Sequence, residues 1–141
     1  MDTDKLIKAL DEDNNEILLN YTNKKIKEMN LRILKELELP KDILLTYMKQ
    51  LDGYMYIDEI SQLRMGAFVR WIPISDFTSN EFPLNRGALV CDVKMTDQGV
   101  NVVLKSFTHT YFQIPFDENL LFQKLSDQQR VLLSALDALA A

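Results

Sequence analysis

The sequence predicts an α+β fold. A helical hairpin occupies residues 1–53, a small five-stranded, mostly antiparallel β-barrel residues 54–125, and a C-terminal helix residues 126–141, packing on the barrel or the hairpin. Three observations carry this reading. Apolar residues between Asn15 and Leu37 recur every three or four positions, the period of a helix face. Two alternating apolar runs flank Thr96-Asp97-Gln98-Gly99, the pattern of a β-hairpin. Ser126-Asp127-Gln128-Gln129 is a capping box set just before a last apolar stripe.

The elements follow in order. Leu6, Ile7 and Leu10 allow a short helix over residues 1–13. Leu18, Thr22, Ile26, Met29, Ile33 and Leu37 form one face of a long helix, widened by Leu19, Leu31 and Leu34, with Lys24, Lys25, Lys27, Arg32 and Lys35 mostly off it. Leu39-Pro40 ends that helix, because the residue before a proline is pushed out of the helical region. Pro40 then fits the first turn of a second helix whose apolar face is Ile43, Leu44, Tyr47, Met48 and Leu51, with Gly53 just beyond its end.

Tyr54–Ile57 is expected as a short strand or extended link, and Asp58 as the cap of a helical turn running to Leu63. Ala67–Ile72 is apolar on both alternating faces except at Arg70, as in a strand covered on both sides. Residues 73–86, with two prolines and several Ser, Asn and Asp, form a surface loop anchored by Phe77, Phe82 and Leu84. In the hairpin, Leu89, Cys91, Val93 and Met95 share one face, and Val100, Val102 and Leu104 line a face of its partner. Thr110–Ile114 is another strand, ended by Pro115, and Asn119–Leu125 a last strand or helical turn. A run of short strands with a long first loop and a tight second hairpin is similar to small barrels of the Src-homology, Tudor or oligonucleotide-binding type. Such barrels host many unrelated functions.

Composition limits the function classes. A net charge of −5 works against non-specific nucleic-acid or membrane binding, which needs a cationic surplus. The acidic start MDTDKLIK holds too short an apolar run for a secretory signal, and no run of apolar residues is long enough to cross a membrane. The expected location is intracellular or inside a particle. Cys91, the one cysteine, permits no intrachain disulfide and is read as a buried small hydrophobe. His109 is the one histidine and is read as a solvated turn residue. Asp58-Glu59 and Asp117-Glu118 stand where helical turns start, so capping explains them. With isolated glycines and no metal-ligand spacing, neither a cofactor nor a metal is expected. Arg70 is expected either to pair with Asp58, Glu59 or Asp92 or to point into a groove, since an unpaired buried guanidinium is costly.

The run Ile57-Asp58-Glu59-Ile60, Leu63, Gly66, Phe68-Val69-Arg70-Trp71-Ile72 resembles a pattern in small uncharacterised proteins of large double-stranded DNA viruses. That resemblance covers about sixteen residues and implies a viral or virion-associated protein, with no site residues to carry over.

The leading expectation is a non-enzymatic protein–protein interaction or assembly module. Its contacts would run through the long helix (Ile26, Met29, Ile33) and the loop carrying Phe77 and Phe82, to a protein partner or a second copy. The rival is a barrel that binds single-stranded nucleic acid through Arg64, Arg70, Trp71 and Arg86, stacking bases beside cations. An enzyme ranks third and needs a carboxylate pair around Asp58 or Asp92.

Overall fold

A computed structural model describes residues 21–75 and 81–140. The expected helix over 1–13, the first turns from Asn15, and Phe77 lie outside the described residues. The elements run α1 (Asn23–Lys35), α2 (Lys41–Gln50), β1 (Tyr54–Ile57), β2 (Phe68–Pro73), β3 (Ala88–Thr96), β4 (Gly99–Lys105), β5 (Tyr111–Pro115), β6 (Asn119–Lys124) and α3 (Asp127–Ala140). The strands form one six-stranded antiparallel sheet in the order β1-β6-β2-β3-β4-β5. The sheet is not closed into a barrel, and it has six strands rather than five. Both segments that the sequence leaves open, Tyr54–Ile57 and the stretch from Asn119, are strands, and β6 slots in beside β2.

By its contacts the chain divides into two compact units, the described residues up to Met55 with those from Leu125 onward, and Tyr56–Lys124. In the first unit, α1 starts because Thr22 leaves the helical region and its hydroxyl accepts from Lys25 N–H at 3.1 Å. Its buried line is Ile26, Asn30 and Leu34, at i, i+4 and i+8; Ile26 and Leu34 belong to the expected stripe, while Asn30 takes the place of Met29 and Ile33. Asn30 tolerates burial because its amide donates to Tyr54 O at 2.9 Å. The helix ends at Lys35, earlier than expected, in a turn that takes Glu38 to φ 53. Pro40 is the cap of α2 rather than a member of its first turn.

The expected apolar face of α2 is found in part: Leu44, Tyr47 and Met48 are half-buried and Leu51, just past the helix end, is fully buried, while Ile43 is exposed. The hairpin of helices is therefore matched only in part. At the other end, Ser126 and Gln129 form the expected capping box, Ser126 N–H to Gln129 Oε1 at 3.0 Å and Gln129 N–H to Ser126 Oγ at 3.2 Å. The helix so started, α3, buries Leu132, Leu133 and Ala135. Its Asp137 accepts from both the backbone and the side-chain amide of Asn23, at 2.9 and 2.8 Å. A carboxylate thus sits on the positive end of the α1 dipole.

In the second unit, β2 lies between β6 and β3 and has buried residues on both faces, as its two-sided apolar pattern requires. Val69, Trp71 and Ile72 are buried, as are Leu121 and Phe122 beside them. Trp71 and Phe112 stack with ring centroids 5.7 Å apart, although their strands are three steps apart in the sheet. A flat sheet would hold those strands roughly 14 Å apart. The sheet is therefore coiled, with the Val69, Trp71, Val90, Leu104 side concave. A bulge at Cys91, between Val90 and Asp92, adds to the coiling.

Cys91 is not the buried small hydrophobe expected. The buried residues of β3 are Ala88 and Val90, so Leu89 and Cys91 are exposed, and Met95 stands out on the free end of the hairpin. Val102 and Leu104 are buried as expected. Between β1 and β2, Glu59 rather than Asp58 caps a short 3-10 turn, Ile60–Gln62. Gln123, buried in β6, holds this segment down by accepting from Arg64 N–H at 2.8 Å and donating to Gln62 O at 3.1 Å.

Candidate interaction surface

The convex side of the coiled sheet carries an apolar surface that strand register builds. Phe68 pairs with Leu89, Leu89 with Lys105, and Lys105 with Tyr111. Residues paired across antiparallel strands project to the same face, so these four side chains form one row across β2, β3, β4 and β5. Leu89 is 42% exposed and Tyr111 63%. The Lys105 ammonium lies 5.6 Å from the centre of the Tyr111 ring, close enough for attraction to its π face.

Phe107 completes the surface. The strand β4 stops at Lys105, and Ser106–Thr110 form a turn. His109 takes φ 62 there, and the hydroxyls of Ser106, Thr108 and Thr110 are linked at 2.9 and 3.3 Å. The turn sends Phe107 back over the sheet, 75% exposed, with its ring centroid 5.5 Å from that of Phe68. Gly87 lets Phe68 lie where it does. At φ +114, a Cβ on Gly87 would fall 2.6 Å from the Phe68 ring and 2.7 Å from Val69 O. Phe68, Ala88, Leu89, Lys105, Ser106, Phe107 and His109 enclose a hollow of about 130 Å³. An apolar side chain of another molecule fits such a hollow, with Lys105 and the hydroxyl turn as its polar rim.

A larger cavity, about 780 Å³, lies in the helical unit and has Ile26 in its wall. Its polar groups are largely engaged with one another: Asn23 with Asp137, Asn30 with Tyr54 O, and Lys27 with Asp52 at 3.9 Å. These contacts tie α1 to α3 and to the segment after α2, and Lys49, Arg130 and Ser134 complete the polar lining.

The residues singled out from sequence are scattered. Ile26 is buried at 3% exposure, Met29 and Ile33 are half-buried on α1, and Phe82 is half-buried in the second unit. Of the expected nucleic-acid set, Arg86 alone is exposed. Arg70 and Trp71 point to opposite faces of β2, and the Trp71 indole packs on Phe112 on the concave side. Arg70 has none of the expected carboxylate partners; its Nε donates to Asn85 O at 2.9 Å. Arg64 donates from Nη2 to Lys124 O at 3.3 Å, its Nε is buried without a partner, and burial lowers its pKa. His109 is exposed, as expected, at the rim of the hollow. Among the described residues no group of three His, Cys, Asp or Glu side chains is placed to hold a metal ion, and no helix is long and apolar enough to cross a membrane.

The convex surface was hidden because Phe68, Leu89, Phe107 and Tyr111 are far apart in sequence and only register brings them together. The hydroxyl-rich run Ser106-Phe107-Thr108-His109-Thr110 was the one available signal, since such residues favour turns. Compared with protein-family models, with curated proteins and with solved structures, the chain gives no match.

Proposed function

We propose that this protein is a non-enzymatic interaction module that recognises another protein through the convex surface of β2–β5. The observation behind the reading is the row Phe68, Leu89, Lys105, Tyr111 with Phe107 stacked on it, large apolar groups facing solvent together around a hollow. Exposed apolar residues scattered singly need no explanation, but a contiguous set with a polar rim marks a contact surface. The aromatic members are the kind of residue that anchors protein interfaces. This surface replaces Ile26, Met29 and Ile33 as the favoured contact, because α1 turns its apolar line inward.

The test is affinity capture with the intact protein and with a Leu89→Ser, Phe107→Ser variant, after matching their melting temperatures. Both side chains are exposed, so the fold should tolerate the change. Partners retained by the intact protein and lost by the variant support the reading; equal capture by both overturns it. A mobility shift of short oligonucleotides at low salt would instead favour the nucleic-acid rival, whose binding is strongest there.

A further inference from the structure

We infer that β5 is a pairing edge for a second copy of this chain, joined antiparallel about a two-fold axis at Gln113. The inference rests on the reading of the protein as an interaction module and names one of its partners. Among the described residues, β5 is the last strand of the sheet and pairs on one side only, with β4. Ser106 N–H donates to Thr110 O, which makes that pair a bonded one. By the alternation of an antiparallel ladder, Tyr111, Gln113 and Pro115 are then the non-bonded positions opposite β4. Their backbone groups point outward. Pro115, which has no N–H to offer, occupies one of these positions, as the assignment requires.

The backbone groups of Tyr111 and Gln113 meet no hydrogen-bond partner among the described residues. An edge of this kind accepts an extended strand, and few are left unprotected. The chain's own β5 is the strand that fits. In a two-fold antiparallel pair, Gln113 exchanges both backbone bonds with Gln113 of the second copy, and Tyr111 N–H reaches Pro115 O at each end. The charges also match. Lys105 lies beside Tyr111 at one end, and exposed Asp117 and Glu118 follow Pro115 at the other. Antiparallel pairing sets each basic end against an acidic one, as an isologous contact demands.

The experiment is sedimentation velocity on the full chain from about 1 µM to about 1 mM, a range in which a modest interface changes occupancy. The expected result is a monomer–dimer equilibrium that Gln113→Pro weakens at least about tenfold. Gln113 N–H is not used within the sheet and Pro115 already stands at an equivalent position, so the fold should survive; an unchanged melting temperature checks this. Lys105→Glu should weaken the dimer, and adding Asp117→Lys and Glu118→Lys should restore it. In the intact chain, the Tyr111 and Gln113 amides should exchange more slowly as concentration rises. A monomer throughout the range overturns the inference, as does a dimer that Gln113→Pro leaves unchanged. Neither result touches the convex-surface reading, which is tested through Leu89 and Phe107.

Discussion

Replacing Gly87 by Ala should destabilise the protein by about 3 kcal/mol, built from two sources. The backbone at φ +114 lies in a region that residues with a side chain seldom adopt, costing about 1–3 kcal/mol. The new methyl also meets the Phe68 ring at 2.6 Å and Val69 O at 2.7 Å. The ring can swing aside, at the loss of its packing, but the carbonyl belongs to a strand buried in the sheet. Gly66 supplies the comparison. It has φ +81 and nothing within 4 Å of the added Cβ, so Gly66→Ala should cost about 1 kcal/mol from backbone strain alone. At roughly 3–5 °C per kcal/mol for a chain of this size, Gly87→Ala should melt about 10 °C below the parent and Gly66→Ala about 4 °C below. Thermal unfolding followed by circular dichroism measures both. Equal shifts for the two variants would show that the contact with Phe68 and Val69 O is not what requires glycine at 87.

Three further outcomes follow from the same geometry. Gln123→Ala leaves Arg64 N–H and Gln62 O without their buried partner and should cost about 2–3 kcal/mol in urea unfolding, whereas a loss below about 0.5 kcal/mol would mean that water replaces it freely. Asp137→Ala removes both bonds to Asn23 at the start of α1 and should cost about 1 kcal/mol, with faster amide exchange in the first turn of α1 as its signature. Leu34→Ala should cost about 2–5 kcal/mol and Ile33→Ala well under half as much, because Leu34 is fully buried and Ile33 is not; the reverse order, measured by denaturant titration, would put the apolar stripe back on the 26/29/33 line.

What the sequence revealed was local, and what it concealed was set by register. The Ser126–Gln129 box, the turn at Thr96–Gly99 and the two-sided burial of Val69-Arg70-Trp71-Ile72 each depend on neighbours within a few residues, and each is found. The stripe on α1 holds Ile26 and Leu34 as expected, but it runs through Asn30, which looks like a surface residue, rather than through Met29 and Ile33. The burial of Asn30 depends on Tyr54 O, which lies 24 residues on. Cys91 stands outside the core because the inward face of β3 runs through Ala88 and Val90; alternation tells which residues share a face but not which face is covered. The barrel was half legible. Alternation marks strands, but closure depends on which strands meet, and among the described residues β6 joins β1 to β2 while β5 pairs only with β4. The candidate surface was the least legible, because it is assembled from four strands and a turn.

The most direct measurement on the central claim is hydroxyl-radical footprinting of the protein alone and in complex with a captured partner. Free protein should be oxidised readily at Phe107 and Tyr111, 75% and 63% exposed, and both should be protected in the complex while Met95 at the hairpin tip stays reactive. Protection that falls on α1 or the hairpin tip instead, with Phe107 and Tyr111 still oxidised at the free rate, would contradict the account.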